Sequence, residues 1–217
     1  MTDTQLIEIL RKGSLELGLS LTDSQTGAFI KYLRELQAWN KKINLTSITD
    51  GKEIIIKHFL DSLTPVRLLS GVQTLLDIGS GAGFPGLPLK IAIPALKVTM
   101  LDTVEKKVHF IRHMIRTLDL EGAKALSGRV ESPELIESLA SSFDCVTSRA
   151  FTELKAFVTL ARPYVRQGGM LLAMKGPAVE GELKEMGHVE GFSEPEVHHM
   201  DVPFSDRTTS LVIMRRL

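Results

Sequence analysis

The chain has 217 residues, of which 43% are hydrophobic, and its 26 Lys and Arg residues balance 26 Asp and Glu residues. This composition predicts a folded protein with a sizeable core, and the formal net charge of zero excludes a uniformly basic nucleic-acid coat and a disordered acidic chain. A single cysteine excludes an internal disulfide framework and a four-thiolate zinc site. With no signal-like N-terminus and no apolar run of about 20 residues, the sequence predicts a cytoplasmic protein that does not span a membrane.

The first seventy residues carry helical patterns. Apolar side chains recur at intervals of three and four residues, for example at Leu6 and Leu10. Thr22 and Gln25 have the spacing of a capping box, which marks the beginning of a helix. We therefore predict a helical N-terminal extension over residues 1–70.

From residue 71 onward, apolar runs of strand length alternate with amphipathic stretches. The predicted strands of this region lie at residues 74–78, 97–101, 143–147 and 170–174. Such alternation is typical of βαβ units and predicts a mainly parallel sheet. Two further extended segments, 196–202 and 210–215, have no helix between them and indicate a closing antiparallel pair. The fold class predicted for residues 71–217 is therefore an α/β domain.

A glycine-rich segment from Asp77 to Gly86 follows the first predicted strand and precedes a helix. Residues 81–86 match the dinucleotide fingerprint, and Asp102 ends the second strand, where an acidic residue can accept hydrogen bonds from a ribose. An NAD-dependent oxidoreductase is therefore one interpretation. However, Pro85 removes a backbone donor and Asp77 adds a negative charge, so a pyrophosphate fits poorly. S-adenosylmethionine carries a sulfonium and an ammonium group, and we prefer it as the ligand.

Two later segments complete the predicted pocket. Residues 128–131 lie near the end of a third, weaker strand, where backbone amides can meet an adenine; a salt-bridged surface turn is the alternative. Residues 148–151 follow the fourth predicted strand, and Arg149 is expected to face the ligand crevice at the carboxyl edge of the sheet.

Ordered motifs run through nearly the whole chain: Trp39-Asn40-Lys41, Asn44-Leu45-Thr46, His58 with Asp61-Ser62-Leu63, the glycine-rich segment, Arg129-Val130-Glu131, Ser148-Arg149-Ala150-Phe151 and Lys175-Gly176. In these motifs the chain resembles the RsmG (GidB) family, bacterial methyltransferases that modify a guanine at N7 in 16S (small-subunit) ribosomal RNA. The resemblance implies a class I, Rossmann-like methyltransferase domain with a helical N-terminal extension and with S-adenosylmethionine as cofactor.

The resemblance also implies donor-binding residues. Carried over by motif, these are Gly79 and Phe84 in the glycine-rich segment, Val130 and Glu131 around the adenine, and Arg149 after the fourth strand. To these we add Gly81 from the glycine-rich segment and Asp102 from the ribose argument. Arg149 is also the candidate catalytic residue, and its role in donor binding or in guanine positioning stays open.

The chemistry expected of such an enzyme needs few reactive groups. Guanine N7 carries a free lone pair, so positioning does most of the work and no base has to remove a proton. The target base must be unpaired, stacked on Phe151 or Phe84 while Arg149 fixes its edge. Cys145 lies within an apolar strand and is expected in the core.

Histidines offer two further candidates. His58, Asp61 and Ser62 have helical spacing and form either a cluster near the crevice or a structural network between the extension and the domain. His198 and His199 are adjacent on a predicted strand and point to opposite sides, so no metal site is predicted.

A basic stripe is predicted on the helix that begins near Lys106. Lys106, His109, His113 and Arg116 fall on one side of this helix, and together with Lys175 they form the candidate RNA-binding surface. An ordinary solvated helix face is the alternative. The expected partner is small-subunit ribosomal RNA, free or within an assembling subunit, and the oligomeric state stays open. A non-catalytic nucleotide-binding RNA adaptor is a further interpretation, distinguished from an enzyme by turnover.

Overall fold

A seven-stranded sheet forms the centre of the computed structural model, which describes residues 1–217. Its strands are β1 (Thr74–Ile78), β2 (Lys97–Asp102), β3 (Ala123–Ser127), β4 (Phe143–Arg149), β5 (Val165–Lys175), β6 (Glu196–Asp201) and β7 (Thr208–Arg215). Their spatial order is β3-β2-β1-β4-β5-β7-β6. The first five strands pair in parallel, whereas β7 pairs antiparallel with β5 and β6. This topology confirms the predicted α/β fold and its antiparallel C-terminal pair.

Nine α-helices surround the sheet. They are α1 (Asp3–Glu16), α2 (Asp23–Asn40), α3 (Gly51–Ile54), α4 (Asp61–Leu63), α5 (Gly86–Ala92), α6 (Glu105–Thr117), α7 (Pro133–Leu139), α8 (Leu154–Ala161) and α9 (Val179–Met186). A π-helical segment, Ile55–Leu60, joins α3 to α4, and a 3₁₀ turn, Val66–Leu69, precedes β1. Thr22 and Gln25 form the predicted capping box at α2. None of the helices combines the length and the apolar character that a bilayer crossing requires.

The two faces of the sheet are covered by different helices. Alternating strand residues point to opposite faces, so Leu75 belongs to one core cluster and Leu76 to the other. The Leu75 cluster contains 39 buried residues and joins the sheet to α1, α2, the π-helical segment, α5 and α6. The helices before β1 therefore share a continuous core with the sheet. Cys145 is buried in this cluster, as predicted, and its burial raises the pKa of the thiol.

Helix α2 braces the glycine-rich segment that follows β1. The Tyr32 hydroxyl is buried and donates to the carbonyl oxygen of Ala82 at 2.6 Å. From the beginning of the same helix, the Gln25 amide donates to the carbonyl oxygens of Ile91 and Ala92 at the end of α5. The two Gln25 bonds satisfy carbonyl groups at the end of α5 that have no partner within the helix. The N-terminal helices thus help to shape the carboxyl edge of the sheet.

Candidate active site

A cavity of about 740 Å³ lies at the carboxyl ends of β1, β2 and β3 and within the size range of small-molecule pockets. Four of the residues predicted from the sequence line it, namely Gly79, Asp102, Val130 and Glu131. Apolar walls come from Ile78, Leu101, Val104, Leu160 and Phe151. We call this space the donor cavity. It combines an acidic group, an apolar wall and a glycine turn, which are the features that a nucleoside ligand requires.

The glycine-rich turn has a backbone that side chains disfavour. Gly79, Gly81 and Gly83 have φ angles of 72°, 59° and 99°. A Cβ atom at Gly79 would lie 2.4 Å from the ring of Phe151. The positive φ and this close approach both favour glycine at position 79. The turn therefore brings bare backbone to the wall of the donor cavity.

Asp102 ends β2 and holds the turn in place. Its Oδ2 accepts from the N–H of Gly81 and its Oδ1 from the N–H of Val104, both at 2.8 Å. The backbone N–H of Gly81, which donates to Asp102, therefore fixes Gly81 beside the donor cavity. Each carboxylate oxygen has a second lone pair, so Asp102 can still accept hydrogen bonds from ribose hydroxyls. The residues present therefore fit the adenosine part of S-adenosylmethionine.

Asp77 lies behind the turn rather than in the donor cavity. Its Oδ2 accepts from the N–H of Gly86 at 2.9 Å, whereas its Oδ1 is buried and has no hydrogen-bond partner. Burial is the main cause that raises the pKa of this carboxyl group to about 7. Asp77 thus fastens the beginning of α5 to the end of β1.

A second cavity, of about 480 Å³, adjoins the ends of β4, β5 and β7. Arg149, Lys175 and Arg207 contribute cationic groups to its lining. Asp61 and Asp206 contribute carboxylates. Ala150 lines both cavities, whereas Arg149 lines only the second. The structure therefore places Arg149 in the second cavity, next to Ala150, and separates it from Gly79, Asp102, Val130 and Glu131, which line the donor cavity.

Arg149 is held by residues of the preceding helical segment. Its Nη1 donates to Asp61 Oδ2 at 2.9 Å, and its Nη2 lies 3.2 Å from His58 Nδ1. Because a guanidinium only donates, Nδ1 accepts and Nε2 carries the proton, which faces Thr46 Oγ1 at 2.8 Å. Burial and the charge of Arg149 lower the pKa of His58 to about 3. The π-helical segment also directs the Lys57 carbonyl oxygen to Arg149 at 3.3 Å.

Phe84 is enclosed by this network. Its ring stacks on His58 at 4.6 Å and on Tyr32 at 5.6 Å, and the Arg149 guanidinium lies 4.9 Å from its centroid. Phe84 is 5% exposed and does not line the donor cavity, so the structure offers Phe151 rather than Phe84 for stacking. Of the predicted set His58, Asp61 and Ser62, the first two contact Arg149 and so connect the helical segment to β4, as in the structural-network alternative. The buried hydroxyl of Ser62 has no partner.

Lys175 lines the second cavity and is engaged by protein groups. Its ammonium donates to the Thr152 carbonyl oxygen and pairs with Glu182, both at 2.7 Å. Only 12% of its side chain is exposed. Lys175 therefore belongs to the cavity wall and differs from an open, phosphate-binding surface lysine.

The predicted basic stripe on α6 is only partly free. His113 turns inward and lies 2.8 Å from Glu35, and its ring contacts that of Trp39 in a tilted arrangement with the centroids 5.0 Å apart. His109 lies 3.1 Å from Glu105. Lys106 and Arg116 are exposed and form no ion pair. Two of the four predicted positions thus remain available to an external anion.

The sheet order β3-β2-β1-β4-β5-β7-β6, with β7 antiparallel between β5 and β6, is the arrangement of the Rossmann-like methyltransferase class. The glycine turn after β1 and the acidic residue at the end of β2 agree with this class. Solved structures share this architecture. Cofactor-bound Rv0187 from MTB is similar with a TM-score of 0.60 at 17% identity, covering 88% of this chain and 91% of that one. A putative caffeoyl-CoA O-methyltransferase from Staphylococcus aureus gives a TM-score of 0.57 at 14% identity, covering 85% and 92%. At these identities the likeness concerns the fold.

Sequence similarity identifies the family. Residues 25–210 match the family described as GidB, rRNA small subunit methyltransferase G. Proteins named Ribosomal RNA small subunit methyltransferase G are 42% identical in Syntrophotalea carbinolica, covering 92% of this chain and 93% of the relative, and 42% identical in Geotalea uraniireducens, covering 97% and 96%. The chain belongs to this family. Membership confirms the resemblance and the prediction of an S-adenosylmethionine-dependent methyltransferase.

Proposed function

We propose that this chain transfers a methyl group from S-adenosylmethionine to N7 of a guanine in 16S ribosomal RNA of the small subunit. The observation that carries this proposal is the meeting of two cavities at Ala150, one suited to an adenosine and the other bordered by cationic groups. Family membership supports the RNA substrate, since the relatives are named for small-subunit ribosomal RNA. We call the second cavity the acceptor cavity.

The donor-binding residues that we propose are four residues that line the donor cavity, together with Gly81 of the adjoining turn. Asp102 accepts from the ribose, Val130 and Glu131 border the adenine, and Gly79 and Gly81 form the turn that the donor approaches. When bound, S-adenosylmethionine supplies an electrophilic methyl group, which guanine N7 accepts through its lone pair as the sulfonium becomes a neutral thioether.

Positioning is the main task of the remaining residues. Arg149 borders the acceptor cavity beside Ala150 and is proposed to orient the guanine rather than to bind the donor. His58 is neutral and uses both ring nitrogens in hydrogen bonds, so it has no free lone pair for a proton. This state fits a reaction at N7, where no proton has to leave.

The RNA contacts that we propose combine the acceptor cavity with α6. Lys106 and Arg116 are exposed cations that suit phosphate groups. Lys175 contacts the RNA from the wall of the acceptor cavity. We further propose that residues 1–70 form an extension on a methyltransferase domain at 71–217, and that the protein acts in the cytoplasm on RNA or on an assembling subunit.

The test is transfer of label from S-adenosylmethionine to purified ribosomal RNA. Small-subunit RNA, free and in assembled subunits, is compared with large-subunit RNA at equal mass. We expect label in small-subunit RNA at least about tenfold above that in large-subunit RNA. Equal labelling of both, or no labelling despite donor binding measured by calorimetry, would contradict the proposed substrate.

A further inference from the structure

Two neighbouring side chains in the acceptor cavity are not engaged by other protein groups. Asp206 and Arg207 line this cavity, both are exposed, and neither side chain forms a hydrogen bond or an ion pair. The other charged groups of the lining are paired: Arg149 with Asp61, and Lys175 with a glutamate. Asp206 and Arg207 therefore supply the one free carboxylate and the one free cation of the cavity.

Hydrogen bonds fix the backbone of the turn between β6 and β7, which carries Asp206 and Arg207. The N–H of Val202 donates to the Arg207 carbonyl oxygen at 2.8 Å. The Ser205 hydroxyl donates to the Val202 carbonyl oxygen at 2.9 Å and accepts from the N–H of Arg207 at 3.2 Å. On the C-terminal side, the Thr208 hydroxyl donates to Asp201 at 2.9 Å. A braced turn loses little conformational freedom when it binds a ligand.

We propose that Asp206 and Arg207 read the Watson–Crick edge of the target guanine. This inference rests on the proposed function. The edge of guanine presents the N1–H and N2–H donors beside the O6 acceptor. A carboxylate matches the two donors and a guanidinium matches O6, and both are charge-assisted contacts. Adenine presents an acceptor at N1 and donors at N6, so both charges of the turn would meet the wrong partner.

The placement of the pair agrees with methylation at N7. N7 lies on the other edge of the guanine, away from N1 and N2. With the Watson–Crick edge on the turn between β6 and β7, N7 is left free to face the donor cavity. The two cavities meet at Ala150, which follows Arg149 at the end of β4. The base is thus recognised at its Watson–Crick edge and methylated on the other edge, at N7.

Inosine at the methylated position tests the contact, because inosine lacks the N2 amino group and keeps N1–H and O6. The modified position is first mapped with wild-type protein, and RNA with guanine or inosine at that position is then compared by kcat/KM. For wild type we expect inosine to be poorer by about 10- to 100-fold, as for a lost charge-assisted hydrogen bond. The variants are Asp206→Ala, Arg207→Gln and, as a matched control at the far end of β6, Glu196→Gln.

We expect Asp206→Ala to lower kcat/KM for guanine and to reduce the inosine penalty to less than about threefold. Arg207→Gln should lower kcat/KM for both bases and leave the penalty unchanged, because inosine keeps O6. Glu196→Gln should match wild type, and calorimetry should give the wild-type affinity for S-adenosylhomocysteine in all variants. A full inosine penalty in Asp206→Ala would overturn the inference, as would its loss in Arg207→Gln. Failure of the proposed function is seen separately, as wild-type protein that does not methylate guanine N7.

Discussion

Arg149 Nη1 lies 2.9 Å from Asp61 Oδ2, and this ion pair ties the end of β4 to the beginning of α4. The Asp61 carboxylate also accepts from Thr209 on β7. Three segments far apart in the sequence therefore fix one guanidinium at the lining of the acceptor cavity. At 15% and 17% exposure, the two side chains are largely removed from solvent, where the loss of one partner is costly.

Asp61→Asn keeps the size of the side chain and removes its charge. We expect Arg149 to lose its fixed position, so that kcat/KM for RNA falls by about 10- to 100-fold while donor affinity changes less than about twofold. Urea unfolding should give a loss of about 1–3 kcal/mol. Glu8→Gln, which removes an exposed partner of Lys12, serves as the control and should match wild type. Full activity of Asp61→Asn would show that the ion pair does not position Arg149.

Gly79→Ala tests the turn beside the donor cavity. The added Cβ clashes with Phe151, and the φ of 72° disfavours alanine. We expect affinity for S-adenosylhomocysteine, measured by calorimetry, to fall at least about tenfold. Gly181→Ala is the matched control, since a Cβ there meets nothing within 4 Å in α9. Equal donor affinity in the two variants would remove Gly79 from the donor site.

The buried His58 predicts a pH-dependent stability. Its pKa falls from 6.5 to about 3 on folding, so between these values the unfolded chain binds a proton that the folded protein does not. The contribution of the neutral His58 ring to the free energy of unfolding is complete above pH 6.5 and declines as the pH falls below that value. Asp77 acts in the opposite direction, because its raised pKa of about 7 makes the stability fall as the pH rises from about 4 to 7.

Comparison with His58→Gln separates the two effects. Between pH 7 and pH 5, the free energy of unfolding of wild type should decrease relative to the variant by up to about 2 kcal/mol. Urea unfolding of both proteins at several pH values measures this difference. If the free energies of unfolding of wild type and His58→Gln change equally with pH, the result would contradict the burial of a neutral His58.

The sequence predicted the sheet because its strands are continuous apolar runs bounded by turn residues. It also predicted that the glycine turn and Asp102 lie together, since both are local features of adjacent strand ends, and the structure brings them to one cavity. The pairing of Arg149 with Asp61 was not predicted, because it depends on how the π-helical segment packs against β4. Tyr32 was missed as a brace of the turn for a similar reason, because its hydrogen bond to Ala82 depends on how α2 packs against the turn.

The α6 stripe shows the limit of periodicity, and Phe84 shows the limit of a sequence motif. Helical spacing placed His113 beside Lys106 and Arg116, but it could not reveal Glu35 on α2 as a partner. Likewise, the family motif contains Phe84, whereas its enclosure between His58 and Tyr32 follows from tertiary packing. Asp206 and Arg207 lie in a turn-rich segment, where only the structure connects them to a cavity.

Charge reversal on α6 tests the proposed RNA surface. The double variant Lys106→Glu with Arg116→Glu should weaken RNA binding about tenfold or more at low salt, and the difference from wild type should shrink as salt rises. Donor affinity should stay near the wild-type value. Lys12→Glu with Lys184→Glu changes the net charge equally on other helices and should bind RNA more nearly like wild type. Loss of binding that is independent of salt, or equal loss in both double variants, would contradict this surface.

Transfer of the methyl group to guanine N7 is tested by identifying the modified nucleoside. Purified protein is incubated with labelled S-adenosylmethionine and small-subunit RNA, free and assembled. The RNA is then digested, and its nucleosides are compared with standards by mass spectrometry. We expect label in 7-methylguanosine with the wild-type protein and none with Arg149→Ala. Label on cytosine, on adenine, on a ribose 2′-hydroxyl or on another guanine atom would contradict transfer to N7.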